Sequence, residues 1–178
     1  NVTNGSLKLN QASVGGTLLD WTTFTAGDHH GLPFAMDISS STRLHVAGDV
    51  SVTVANLLTV NGSVAIDQVD LTGTLTAVGG AGAQALAMSL TVAGSAGGVG
   101  AAGTLQMVRI TNGTSSWLGV TGNSLAFSLQ AAPLTLNVTN GSLKLNQASA
   151  GGTLLDWAGF TALSDPSTDP AVRHGLPF

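Results

Sequence analysis

Residues 1–21 read NVTNGSLKLNQASVGGTLLDW, and residues 137–157 read NVTNGSLKLNQASAGGTLLDW. Twenty of the 21 positions agree, the one change being Val14 to Ala150, and the period is 137 − 1 = 136 residues. The likeness runs on through Phe24 and Phe160 to His-Gly-Leu-Pro-Phe at 30–34 and 174–178. There the offset is 174 − 30 = 144, so the second copy carries eight extra residues in the loop before that motif. Such agreement is a tandem duplication, and repeated units bury their apolar faces by stacking on one another. The organisation that follows is one full β-repeat unit over 1–136. The start of the next occupies 137–178, matching 1–34 with the insertion. In the second copy Asn137 continues the alternating run Leu134-Thr135-Leu136, so the first copy is expected to start in mid-strand and the array to extend further in both directions.

Composition decides the class of element. Hydrophobic residues make up 43% of the chain and charged ones only 8%; the nine acids are all Asp, and five bases oppose them. Surface helices draw on Glu, Lys and Arg pairs that this chain lacks, whereas Thr, Val, Ser, Asn and Gly suit strands and tight turns. Alternation of period two recurs at 6–10, 44–47, 50–54, 58–60, 63–67, 69–76, 89–92, 105–111, 124–130 and 134–139. Asn-Gly pairs at Asn4, Asn61, Asn112 and Asn140 predict type I′ hairpin turns. The Gly-rich stretch 78–103 reads as loops flanking one strand, with a short turn within 81–88. The expected fold is all-β with little or no helix: an antiparallel β sandwich or tube, or a β-solenoid-like array, built from tandem repeats.

The same numbers exclude function classes. No cysteine means no disulfide framework and no thiolate metal site. A net charge of −4 without a basic cluster speaks against nucleic acid and against electrostatic docking to a membrane. Residues 71–108 carry no charge, yet Gly, Thr, Ser and Gln interrupt them too often for an apolar spanning helix. Five Phe, three Trp and no Tyr make a poor aromatic girdle for a membrane barrel.

The segments GSLKLNQAS, GTLLDW, RLHVAGDVSVTVANLLTVNGSVAI and TNGTSSWLGVTGNSLAFSLQ together resemble the giant bacterial β-strand-repeat surface proteins. The resemblance covers nearly the whole chain and implies an extracellular, structural or adhesive role. It supplies no catalytic or binding residue.

Candidate sites are few, and each has a plainer reading beside it. Asp28 and His30 in copy one, and Asp165 and Asp169 in copy two, lie in the variable loop. Asp and loop carbonyls suit Ca²⁺, and His with Asp suits Zn²⁺. The loop differs between copies, however, and Asp and Pro equally serve to set a solvated turn, which is the reading adopted. Asp20 and Asp156 occupy matching LLDW positions, so they belong one repeat apart and cannot act as a catalytic pair; capping or solvent exposure is expected. His45 falls on the polar side of its strand and reads as a surface residue. Six Asn-x-Ser/Thr sequons begin at Asn1, Asn4, Asn61, Asn112, Asn137 and Asn140; in a source that glycosylates Asn these exposed turns would be acceptors, but Asn-Gly-Ser/Thr is equally plain hairpin chemistry. Trp21, Trp117 and Trp157 read as packing groups rather than a sugar platform. No Ser-His-Asp constellation or phosphate loop appears, and the chain is read as non-enzymatic and without a cofactor. The expected function is a structural module of an extracellular filament, sheath or surface-layer fibre, with copies of itself or adjacent repeats as partners. The alternative is an adhesin stalk contacting glycans or a host surface through the variable loops.

Overall fold

The computed structural model describes residues 1–13, 16–26, 32–54, 58–72, 75–96, 99–131, 134–161, 174 and 176. Among them, seven strands form a single antiparallel sheet in which every strand pairs with its sequence neighbour. The strands are β1 (Val2–Leu9), β2 (Thr42–Val54), β3 (Leu58–Asp70), β4 (Gln84–Ala96), β5 (Val99–Asn112), β6 (Ser115–Ala131) and β7 (Leu134–Ala148). The all-β expectation holds. The only α-helices among the described residues are α1 (Trp21–Phe24) and α2 (Trp157–Thr161), one in each copy of the duplicated segment.

The strands are longer than period-two alternation indicates. Runs 44–47 and 50–54 merge into β2 across Gly48-Asp49, which reads as a turn in sequence but pairs regularly with Val64 and Ser63. The Gly-rich stretch is not mainly loop. It supplies β4 and the first part of β5, which pair residue for residue from Gln84↔Thr111 to Ala96↔Val99. Glycine there permits close approach: a Cβ on Gly94 of β4 would run into the Thr59 carbonyl of β3. The expected strand over 69–76 stops at Asp70, and Thr76–Val78 closes a 3₁₀ turn capped by left-handed Gly79.

Three of the four Asn-Gly pairs correct the turn prediction. Asn112-Gly113 does sit at the β5–β6 hairpin, but Asn4, Asn61 and Asn140 lie inside strands. Asn4 and Asn140 have φ of 51° and 52°, and the ladder shifts register beside both. They form bulges, a second use of the left-handed conformation that Asn tolerates. Ser124, with φ 51°, places another bulge in β6 close to that of β7.

Residues directly opposite in a ladder share a face. Following the pairs gives one unbroken row of Leu7, Val46, Ile66, Met88, Met107, Val120 and Leu145. A neighbouring row holds Val64, Leu90, Leu105 and Leu143. None of these side chains is buried. The opposite face carries Lys8, His45 and Asp67 towards β1 and the buried core towards the middle of the sheet. There Val69, Ala85, Ala87, Val108 and Ile110 are covered by Leu155 and Phe160 from the α2 segment and by Leu176. Ile110 is fully enclosed, so Ile110→Ala should lower stability in chemical denaturation by about 2–5 kcal/mol, mostly through the cavity it leaves.

Candidate functional site: the duplicated segment at the two sheet edges

The two copies of the duplicated sequence form the two edge strands of the sheet, β1 and β7, each followed by its short helix. They fold alike. In copy one the Asn10 amide donates to the Leu19 carbonyl (2.8 Å), and the Trp21 indole donates to Asn10 Oδ1 (3.2 Å). In copy two Asn146 donates to the Leu155 carbonyl (2.8 Å) and accepts from Trp157 (2.9 Å). Trp21 and Phe24 meet edge to face with centroids 5.9 Å apart, and Trp157 and Phe160 do so at 6.5 Å. Gly16 and Gly152 close equivalent turns on Ser13 and Ser149, each at 2.8 Å.

Asp20 begins α1 as its N-cap, accepting from the Thr22 and Thr23 backbone amides (3.1 and 3.2 Å) and from the Thr22 hydroxyl. The Thr22 hydroxyl, followed by the Thr23 amide, holds its carboxyl below the ordinary value. Asp156 does the same work through Gly159 (3.2 Å). Both carboxylates are therefore caps at opposite edges of the sheet, as their positions in the repeat imply.

The surroundings of the copies differ. Asn10 is buried and reaches further, donating to the Ser39 carbonyl (3.1 Å), while its backbone amide bonds to Arg43 (3.0 Å). The Trp21 amide bonds to Ile38 (2.9 Å). On β1, Asn4 bonds Asp49 (2.7 Å), Ser6 meets His45 (3.3 Å) and Lys8 pairs with Asp37 (2.6 Å). Among the described residues Asn140, Ser142 and Lys144, their counterparts on β7, have no such partners. Instead, β7 lies against β6, where the Trp157 ring covers Gly119 so closely that a Cβ there would stand 2.6 Å from it. The Trp117 indole donates to the Thr153 carbonyl (3.1 Å), in keeping with a packing role.

The remaining sequence candidates resolve as follows. His45 is on the polar face as expected but is half-buried rather than a plain surface residue, because Asp67 binds its Nδ1 at 2.5 Å. Asn112 is no exposed sequon: its amide donates to the Val78 and Gly80 carbonyls (2.8 and 3.3 Å) and locks the 3₁₀ turn to the β5–β6 hairpin. Asn1, Asn4, Asn61, Asn137 and Asn140 are exposed. Asp28, His30, Asp165 and Asp169 lie outside the described residues. Among the described residues no three His, Cys, Asp or Glu side chains converge. A shallow groove of about 450 Å³ between Gly94, Ser95, Ala101, Phe127, Ser128 and Asn137 offers no ionisable group among them. No helix among the described residues is long and apolar enough to cross a membrane.

The feature that sequence reasoning missed is the Asn-to-Trp clamp. Asn10 and Asn146 read simply as polar members of a strand. A signal was present, since the same Asn recurs 11 residues before Trp in both copies.

Two outcomes follow. Asn10→Ala strands the Trp21 indole and the Leu19 and Ser39 carbonyls around a buried position, so it should cost about 2–3 kcal/mol in urea denaturation, more than exposed Asn146→Ala. The Lys8 ammonium, through its hydrogen bond and then its charge, holds Asp37 below the ordinary aspartate value near 3.8. A depressed carboxyl stabilises the fold above its unfolded pKa, and that contribution disappears as pH falls through the folded one. Lys8→Met should raise the Asp37 pKa in a carboxyl-carbon NMR titration and remove this dependence below about pH 4.

No family model, curated protein or solved structure matches the chain.

Proposed function

We propose that this chain is a structural repeat module of a long extracellular filament, sheath or surface-layer fibre, assembled from identical β units. One observation carries the reading. A seven-residue apolar row crosses the whole sheet without a buried member: Leu7 and Leu145 at its ends are exposed and the five side chains between them half-buried. Burying a Leu, Val, Ile or Met side chain contributes about 1.5–3 kcal/mol, so a face of this size stabilises association strongly. The two edge strands support the same reading, because an open strand edge is a template for another strand. Carrying one sequence at both ends of a sheet suits a unit that repeats in a line. Low charge lets such units approach without much mutual repulsion.

Electron microscopy and sedimentation of the purified chain test the proposal. The wild type should form filaments or concentration-dependent oligomers. Met88→Lys with Met107→Lys places two charges in the centre of the apolar row and should leave far-UV circular dichroism unchanged while dispersing the assemblies. A wild type that remains an isolated globular particle at all concentrations would overturn it.

A further inference from the structure

The two copies of the duplicated segment show the two halves of one joint. Leu19, Phe24 and Leu32 in copy one are 40%, 38% and 36% exposed. Their counterparts Leu155, Phe160 and Leu176 are 4%, 6% and 6% exposed, because strands β3–β5 lie beneath them. The adjacent leucine reverses this: Leu18 is 8% exposed in copy one, where Ile38 and β2 follow, and Leu154 is 58% exposed in copy two. Asn10 is likewise buried and bonded to Ser39 and Arg43, whereas Asn146 is exposed. One sequence therefore buries one leucine against the unit before it and the other beside the unit after it. Each copy here has only one of those neighbours.

The strand edges agree with this division. The duplicated strand pairs with β2 as β1 and with β6 as β7. Leu7 and Leu145 lie in the same apolar row, and Leu145 is the counterpart of Leu9 (145 − 136 = 9), two residues from Leu7. Residues two apart share a face, so the β2 and β6 contacts fall on opposite edges of the strand and do not compete.

We infer that the duplicated segment is a shared connector, closing one unit as β7 and opening the next as β1, and that the free edge of β7 is a docking site for the β2 strand of a following copy of the repeat. The inference rests on the filament reading for its setting. The register is fixed by β1: Val138, Leu143, Lys144 and Leu145 face the counterparts of Val50, Val46, His45 and Leu44. Lys144 then gains the counterpart of Asp37, and Asn146 those of Ser39 and Arg43.

A two-period protein, made by joining a second copy of residues 35–178 after Phe178, tests this beside the 178-residue chain. In the two-period protein, amide exchange in the middle copy over 138–147 should slow by at least about tenfold. The chain has no cysteine, so engineered pairs can be read without background. Lys144→Cys should oxidise readily with cysteine at the second-period counterpart of His45, and poorly with cysteine at that of Val46, which points to the other face. A third measurement is independent of the extension folding perfectly. In the 178-residue chain Leu154→Asp and Leu19→Asp should barely move the urea midpoint, whereas Leu155→Asp and Leu18→Asp should lower it. In the two-period protein Leu154→Asp should become as harmful as Leu155→Asp. Unchanged exchange over 138–147 together with a tolerated Leu154→Asp in the two-period protein would overturn the connector. Filaments formed with that outcome would leave the filament reading standing, and a mated connector in protein that never forms filaments would sink that reading alone.

Discussion

The backbone ladder keeps opposite residues on the same face through six successive strand pairings, and the rest of the structure depends on that parity. A slip of one residue at any pairing would turn half of Leu7, Val46, Ile66, Met88, Met107, Val120 and Leu145 to the other side. The bulge at Asn4 shifts β1 by one residue against β2, and that at Ser124 shifts β6 by one against β5, while those at Ser124 and Asn140 offset each other between β6 and β7; all of them lie outside this row. Because the apolar residues stay together, one face can be polar near β1 and packed under the α2 segment, while the other remains a broad hydrophobic surface.

The duplicated segment does two kinds of work with one sequence. Its strand residues supply a ladder edge, and its LLDW-x-x-F portion supplies a lid held to that strand by the Asn–Trp hydrogen bond. The lid closes over β3–β5 only where those strands precede it, which is why identical residues differ so widely in exposure. Trp157 fits because Gly119 has no side chain beneath the ring. Among the described residues, the outer edges of β1 and β7 have no strand partner, and each copy leaves apolar side chains exposed beside them. In the proposed array a following copy would cover both.

The row that leaves β1 at Leu7 reaches β7 at Leu145, the counterpart of Leu9. Continued through further copies, the rows advance two residues per period, or roughly 7 Å at strand rise. Added to the ordinary right-handed twist between strands, that stagger gives an array a slant and argues against a flat ribbon.

Sequence by itself determined the all-β class, since without Glu and with alternating Val, Thr and Leu no long amphipathic helix could form. It determined the equivalence of the two copies and set Asp20 and Asp156 one repeat apart, leaving the structure to choose capping over plain solvent exposure for them. It did not determine what Asn-Gly would do, since positive φ serves a bulge as well as a hairpin and only the pairing partner selects between them. Nor did it foresee the partnership of His45 with Asp67, 22 positions away, or of Asn112 with Val78 and Gly80, 34 and 32 positions away. Above all, Leu18 and Leu19 are indistinguishable in sequence from Leu154 and Leu155. Which of each pair is buried was decided by which strands lie alongside, because burial belongs to a surface made by several elements and not to the residue.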